Sequence, residues 1–315
     1  MRLASEFVKL PFRFDVDQLA KELSVVNKND WIPHPGALAG NFSIPLISLN
    51  GEVNDLFNGE MKPTPTLLQS PYFRQVIASF DEVFGRSRLM RLDGGHDIPI
   101  HTDVNYHWFD RVRIHIPIVT NPDVTFFCGD ERCQMKAGEV WLLDTWKAHR
   151  VINESSESRV HLVADTVGSS VFWQRVADIV AGKKMDEKFI AFDPGLEVEP
   201  VYEKYNAPLV MMPGELDSLC LDLIADIVAN ETNDPEVVNQ FVNTINEFRW
   251  DWRRVWAQFG PTKQGWPEYG RLINRVQRPV KPIYLASNNS RAFIAFQARI
   301  LGAALNENLL PAFTD

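Results

Sequence analysis

Between Ser87 and Ser170 the chain breaks into short extended segments separated by turns, and this stretch limits the fold more than any other part of the 315 residues. Strand candidates run over 88–92, 98–101, 112–119, 125–128, 139–143 and 160–166. Strands this short, at a spacing of about 8 to 15 residues, form an antiparallel sandwich or barrel rather than a parallel α/β sheet. In VRIHIPI (112–118) apolar and polar residues alternate, as in a strand with one face in a core and the other lining a cavity. Pro117 is expected where the ladder does not need its missing N–H.

The flanks read differently. Residues 15–26 have helical apolar spacing behind an acidic start, 30–40 is a Pro/Gly-rich loop leading into a strand-like 42–49, and Ser70-Pro71 can open a helix over 72–84. Beyond about 171 the pattern is helical at 171–181, 216–230, 236–256 and 292–309. The Pro-rich 186–213 reads as a linker or wrapping segment. A barrel-like region followed by an all-helical region is expected, with the helical stripes serving as packing or dimer surface, so that a homodimer is one expectation.

Thirty-two Lys and Arg against 41 Asp and Glu give a formal charge of -9, which argues against nucleic acid or an anionic membrane as partner. There is no apolar run of membrane-spanning length and no signal-peptide-like start, so a soluble cytoplasmic chain is expected. Cys128, Cys133 and Cys220 form no CxxC pair, which fits reduced thiols.

Six of the seven histidines fall between His96 and His161. His101-Thr102-Asp103 puts an imidazole and a carboxylate two residues apart, on one side of an extended segment. His149, arriving on another strand or turn, could complete a face of two histidines and one carboxylate, as non-haem Fe(II) oxygenases require. On spacing alone, His101 and Asp103 could equally well hydrogen-bond at a strand end while His149 caps a turn. Arg159, ten residues after His149, tips the balance: a guanidinium inside an apolar barrel needs a carboxylate partner, and its fork can hold a bidentate one. Arg113 and His115 share one face of their strand.

Taken together, IPIHTD (98–103), RVRIHIPI (111–118), MKAGEVWLLDTWKAHRVIN (135–153) and SRVHLVADT (158–166) resemble the aspartyl/asparaginyl β-hydroxylase-type branch of the Fe(II)- and 2-oxoglutarate-dependent dioxygenases. Within that branch the chain is similar to the bacterial L-proline cis-3-hydroxylases. The resemblance covers roughly 88–167, and VKLPFRFDVDQLAKEL and NFSIPL look like the opening of those enzymes. It implies a mainly β catalytic core, a double-stranded β-helix of jelly-roll or cupin-like type with flanking helices, over 1–180, and a helical C-terminal region over 181–315.

The resemblance further implies His101, Asp103 and His149 as catalytic iron ligands. It makes Arg159 the partner of the distal carboxylate of 2-oxoglutarate, and has Arg113 and His115 lining the cosubstrate or substrate side. The implied reaction takes O2 and 2-oxoglutarate, hydroxylates an unactivated C–H bond and releases succinate and CO2. Relatives acting on larger protein substrates lack the carboxylate ligand, whereas this chain keeps Asp103, so a small molecule is favoured, an amino acid or a carrier-tethered derivative. The alternatives are a non-catalytic cupin-like metal or ligand-binding protein, a cupin-type isomerase, and a hydroxylase of acyl or peptide substrates.

Other residues carry two readings. Asp144 either orients a ligand histidine or fixes its turn, and Asn153 is expected to tie down the strand after His149. His96, His107 and His161 are pocket candidates or plain structural residues, and Trp31 and His34 in 30–41 either close over the site or sit in a surface loop. FRWDWRRVW (248–256) places aromatics four apart, which suits helix packing better than a nucleic-acid stripe.

Overall fold

Alternation along two neighbouring strands organises the β region of the computed structural model, which describes residues 2–34, 36, 38–278 and 281–312. The strands in chain order are β1 (Phe7–Phe14), β2 (Ile32–Pro33), β3 (Asn41–Leu49), β4 (Met61–Pro63), β5 (Val83–Leu92), β6 (His96–His101) and β7 (Val112–Val119). There follow β8 (Val124–Cys128), β9 (Glu131–Cys133), β10 (Glu139–Leu143), β11 (His149–Asn153), β12 (Arg159–Thr166), β13 (Lys188–Ile190) and β14 (Val201–Tyr202). A large sheet has the order β13-β1-β10-β7-β12-β5-β3-β2, with β14 added to β5 and β4 to β3, and a small sheet has the order β6-β11-β8-β9. Pairing is antiparallel except where β13 meets β1 and β14 meets β5. This is a jelly-roll, cupin-like core flanked by helices, with an all-helical C-terminal region.

On β7 and β12 the residues Ile114, Ile116, Ile118, Leu162 and Ala164 join Leu89, Val140 and Leu142 in the main apolar cluster. Leu19, Phe73, Val76, Phe172 and Val176, from helices Val16–Val25, Pro71–Ala78 and Ser170–Val180, belong to the same cluster. Each such burial contributes about 1.5 to 3 kcal/mol. The intervening residues Arg113, His115, Arg159, His161 and Asp165 therefore share the opposite face. The small sheet contributes Val124, Phe126, Cys128 and Val151 to a second cluster, shared with Leu92 and Leu143 of the large sheet.

Two expected helices are shorter than their patterns. The helix expected over 72–84 stops at Ala78, because the chain turns at Asp81, with φ 57°, and Phe84 is already paired with Thr166 and Tyr202. The one expected over 292–309 divides into Ala292–Phe296, a π-helical turn Gln297–Leu301 and Gly302–Ala304. The Pro-rich 186–213 wraps, supplying β13 and β14. Pro117 lies opposite His161 beside a register shift, and its carbonyl accepts from the Gly138 N–H at 2.9 Å.

By backbone contacts the chain forms two compact units, Met1–His101 with Asp110–Asn206, and Thr102–Phe109 with Ala207–Asp315. The second is built on helices Pro213–Val228, Pro235–Phe259 and Trp266–Val276. Its centre is an aromatic chain in which Phe241 and Phe248 each meet Phe296 edge-on at 5.8 Å, and Trp252 meets Tyr269 at 4.4 Å. The Trp252 indole N–H donates to Met211 O at 2.9 Å, so FRWDWRRVW is core packing. Among the described residues no helix is long and apolar enough to cross a membrane.

The start of helix Pro71–Ala78 has no side-chain cap of its own, since Ser70 makes no capping bond. Glu22 supplies one from another helix: its carboxylate accepts from Tyr72 N at 2.8 Å and Phe73 N at 2.5 Å. Replacing Glu22 by Ala leaves two buried N–H donors without acceptors and is expected to cost about 1 to 3 kcal/mol in urea unfolding. Glu22→Gln, which keeps one acceptor, loses less.

Candidate metal centre

His101 ends β6 and His149 begins β11, and the pairing of these strands sets the two residues opposite each other, with ring centroids 4.1 Å apart. A register shift between His149 and Val151 marks a bulge, a device that re-aims side chains beside sites. Asp103 follows His101 by two residues. His101, Asp103 and His149 each offer one ligand atom, and these atoms lie within 4.8 Å of one another. This is the two-histidine, one-carboxylate triad of Fe(II) centres.

The donor set also fits a metal in its protonation. His101 Nδ1 contacts Pro99 O at 2.8 Å and His149 Nδ1 contacts Lys147 O at 2.9 Å. A carbonyl can only accept, so both Nδ1 atoms carry the proton and both Nε2 lone pairs are left for an ion. His149 is buried while His101 is exposed, which leaves the ligand set reachable from solvent.

Strands β7 and β12 of the large sheet supply a buried cationic wall, on which His115 lies close enough to His149 to interact with it electrostatically. Arg159 is 4% exposed, its Nε has no hydrogen-bond partner, and its Nη1 has only Met90 O at 3.5 Å. The guanidinium lies 5.4 Å from the Phe126 ring centroid, and no carboxylate among the described residues pairs with it. Burial pulls its pKa down to about 10, so it stays charged at neutral pH. His161 and His115 stand near it with ring centroids 6.0 Å apart, and all four of their ring nitrogens lack partners. Burial first, then the charge of neighbouring arginines, pushes both imidazoles well below their usual range.

Arg113 is engaged differently. It faces Asp165 in register on β12 and forms a fork with it, Nε to Oδ1 at 2.7 Å and Nη2 to Oδ2 at 3.0 Å. Arg86 and Arg88 both donate to Asp55 Oδ1, at 2.8 and 2.5 Å, and Arg111 donates to Glu203 at 2.8 Å. The acidic partners Asp55, Asp165 and Glu203 were not singled out in the sequence. Asp165 alone had a local signal, because it repeats the period-two face of Arg159 and His161.

The remaining candidates resolve as structural. Asp144 fixes the turn before His149, accepting from Trp146 N at 3.1 Å and Leu3 N at 3.2 Å. Asn153 donates to Leu92 O at 3.1 Å and Glu157 O at 2.7 Å, tying β11 to β5. His96 contacts Gly94 O at 2.8 Å and its ring lies over Gly40, a position with φ 72° where a side chain would collide with it. His107 is buried edge-on against Trp108 at 4.8 Å. Trp31 covers the Arg91 guanidinium at 5.0 Å. Burial, then Arg88, lowers the pKa of His34 to about 4; Pro35 and Ala37 of the same loop lie outside the described residues.

Residues 52–168 match the family model described as aspartyl/asparaginyl beta-hydroxylase, a span that contains all three triad residues and Arg159. No curated protein matches the chain. Among solved structures it is similar to a 2OG-Fe(II) oxygenase family oxidoreductase from Burkholderia pseudomallei, at 14% identity over 52% of this chain and 85% of that one, with a TM-score of 0.36. It is also similar to a prolyl-4-hydroxylase from Pseudomonas putida, at 11% identity over 52% and 92%, with a TM-score of 0.35. HygX from Streptomyces hygroscopicus, solved with nickel and 2-oxoglutarate, is similar at 12% identity over 51% and 82%, with a TM-score of 0.37.

A histidine whose folded pKa is depressed binds fewer protons than the unfolded chain, so its contribution to stability is complete above the unfolded value of 6.5 and is lost as pH falls. Urea midpoints measured downward from pH 7.5 should therefore fall once the pH drops below about 6.5. In His161→Leu that fall is expected to be shallower, and an unchanged slope would show that His161 is not held neutral by the fold.

Proposed function

We propose that the chain is an Fe(II)- and 2-oxoglutarate-dependent dioxygenase that hydroxylates an unactivated C–H bond of a small molecule. The favoured substrate is a free or carrier-tethered amino acid, and the products include succinate and CO2. The observation that carries this reading is Arg159, a buried guanidinium with no carboxylate partner among the described residues, on β12 beside the strand whose His115 interacts electrostatically with both Arg159 and the triad's His149. A buried charge left unpaired is costly, and a ligand carboxylate that meets its fork removes the cost.

In this reading His101, Asp103 and His149 hold Fe(II) and Arg159 grips the distal carboxylate of 2-oxoglutarate. When bound, the metal and cosubstrate supply the oxidative chemistry, namely cleavage of O2, decarboxylation and transfer of one oxygen atom to carbon. The chain's own residues bind, orient and exclude water. His115 and His161 stay neutral, which leaves the positive charge at this end of the wall on Arg159. Phe126 forms an apolar side of the same region, stacked on His161 at 5.3 Å. Arg113, held by Asp165, lines the wall while its own charge is balanced.

Anaerobic titration of 2-oxoglutarate into the Fe(II) protein, followed through the metal-to-ligand charge-transfer band, tests the assignment. Arg159→Ala should weaken binding by roughly 30-fold to several thousand-fold, the equivalent of about 2 to 5 kcal/mol. Arg159→Lys keeps the charge without the fork and should fall between, with Fe(II) affinity nearly unchanged in both. Equal cosubstrate affinity in all three folded proteins would remove the main reason for the reading. His101→Ala combined with His149→Ala should abolish Fe(II) binding, and succinate release screened over the twenty amino acids, acyl and peptide compounds identifies the substrate.

A further inference from the structure

Asp103 sits in the one stretch of the β region's sequence that packs as part of the helical unit, Thr102–Phe109 with Ala207–Asp315. The contacts bracket it closely. One residue before it, Thr102 Oγ1 shares a hydrogen bond with Ser290 Oγ at 2.9 Å. Three residues after it, the Tyr106 hydroxyl donates to the Glu215 carboxylate, and the Tyr106 N–H donates to Ala298 O at 3.3 Å. Ala298 lies inside the π-helical turn Gln297–Leu301, a wide turn of the kind that recurs at functional sites. In that turn Arg299 is fully buried, donates to Asp222 at 2.6 Å and lies 4.1 Å over the Phe109 ring.

Resting on the metal reading above, we propose that Ser290, Tyr106 and Glu215 are positioning residues for the Asp103 carboxylate, and that their hold on its backbone tunes the affinity of that ligand for the metal. None of the three touches the metal. They act by fixing the backbone on both sides of the ligand. A carboxylate on an unrestrained loop would have to be ordered when the ion binds, and that entropic cost weakens binding; a carboxylate already held avoids it. The two histidines need no such help, because each is oriented by a carbonyl two residues before it.

The test uses the full chain and Co(II) alone as probe, with affinity from anaerobic calorimetry, coordination from the visible spectrum, and melting temperature read in parallel. Tyr106→Phe, which keeps the ring, and Ser290→Ala should each weaken Co(II) binding, and the pair together by about 10- to 100-fold, the range found when groups that hold a ligand are removed. The Co(II) bands should shift as the carboxylate loosens. Thr102→Ser, which retains the hydroxyl, should bind as the wild type does. An unchanged Co(II) affinity and spectrum in the folded double variant would overturn the proposal while leaving the metal reading intact, and the single Ser290→Ala variant decides it in the same way should the double variant fail to fold. Wild type that binds no Co(II) would overturn both.

Discussion

The register of β7 on β12 is the constraint on which the candidate site depends. Ile116 faces Leu162 and Ile114 faces Ala164 on the apolar side, while His115 faces Val163 and Arg113 faces Asp165 on the other. Because the side-chain period is two, a slip of one residue would drive Arg113 and Asp165 into the helix-covered core and bring the isoleucines out. The hydrophobic rungs and the ion pair therefore enforce the same alignment. Neighbouring strands extend it: β5 sets Met90 opposite His161, and β10 sets Trp141 opposite His115.

On that wall the buried guanidiniums are treated unequally, and the proposed function rests on the inequality. Arg113 meets Asp165 with both arms, and Arg86 and Arg88 meet Asp55. Arg159 has one long contact to a neutral carbonyl and the face of Phe126. Protonating His161 or His115 beside it would add another charge where water cannot screen it, so desolvation and repulsion act together to keep them neutral. A carboxylate is the anion whose two oxygens match the fork of an arginine, which is why the proposed cosubstrate is assigned to Arg159.

What could be read from the sequence follows from how far each signal reaches along the chain. The alternation of VRIHIPI sets β7 to the residue, and the triad was legible because HxD and the distal histidine lie on strand-like segments. The turn into β5 at Asp81 was hidden, because Phe80 and Phe84 continue a helical stripe while being buried for a sheet-related reason: both lie in the main cluster with Phe12 and Phe14. The partners of the arginines were equally hidden. Asp55 and Glu203 lie far along the chain from Arg88 and Arg111, in segments without a periodic pattern, and only the folded chain brings them together.

The three side chains of the candidate metal centre show the same division within one site. For both histidines the orienting group is a carbonyl two residues upstream, Pro99 for His101 and Lys147 for His149, so the proton position follows from local backbone shape. Asp103 is bracketed instead by Ser290, Glu215 and Ala298, more than a hundred residues downstream, and by a π-turn that no periodicity announces. The histidines are aimed by the short segments that contain them, while the backbone on either side of Asp103, though only two residues away from one of them, is tied to the helical region that follows Ala207.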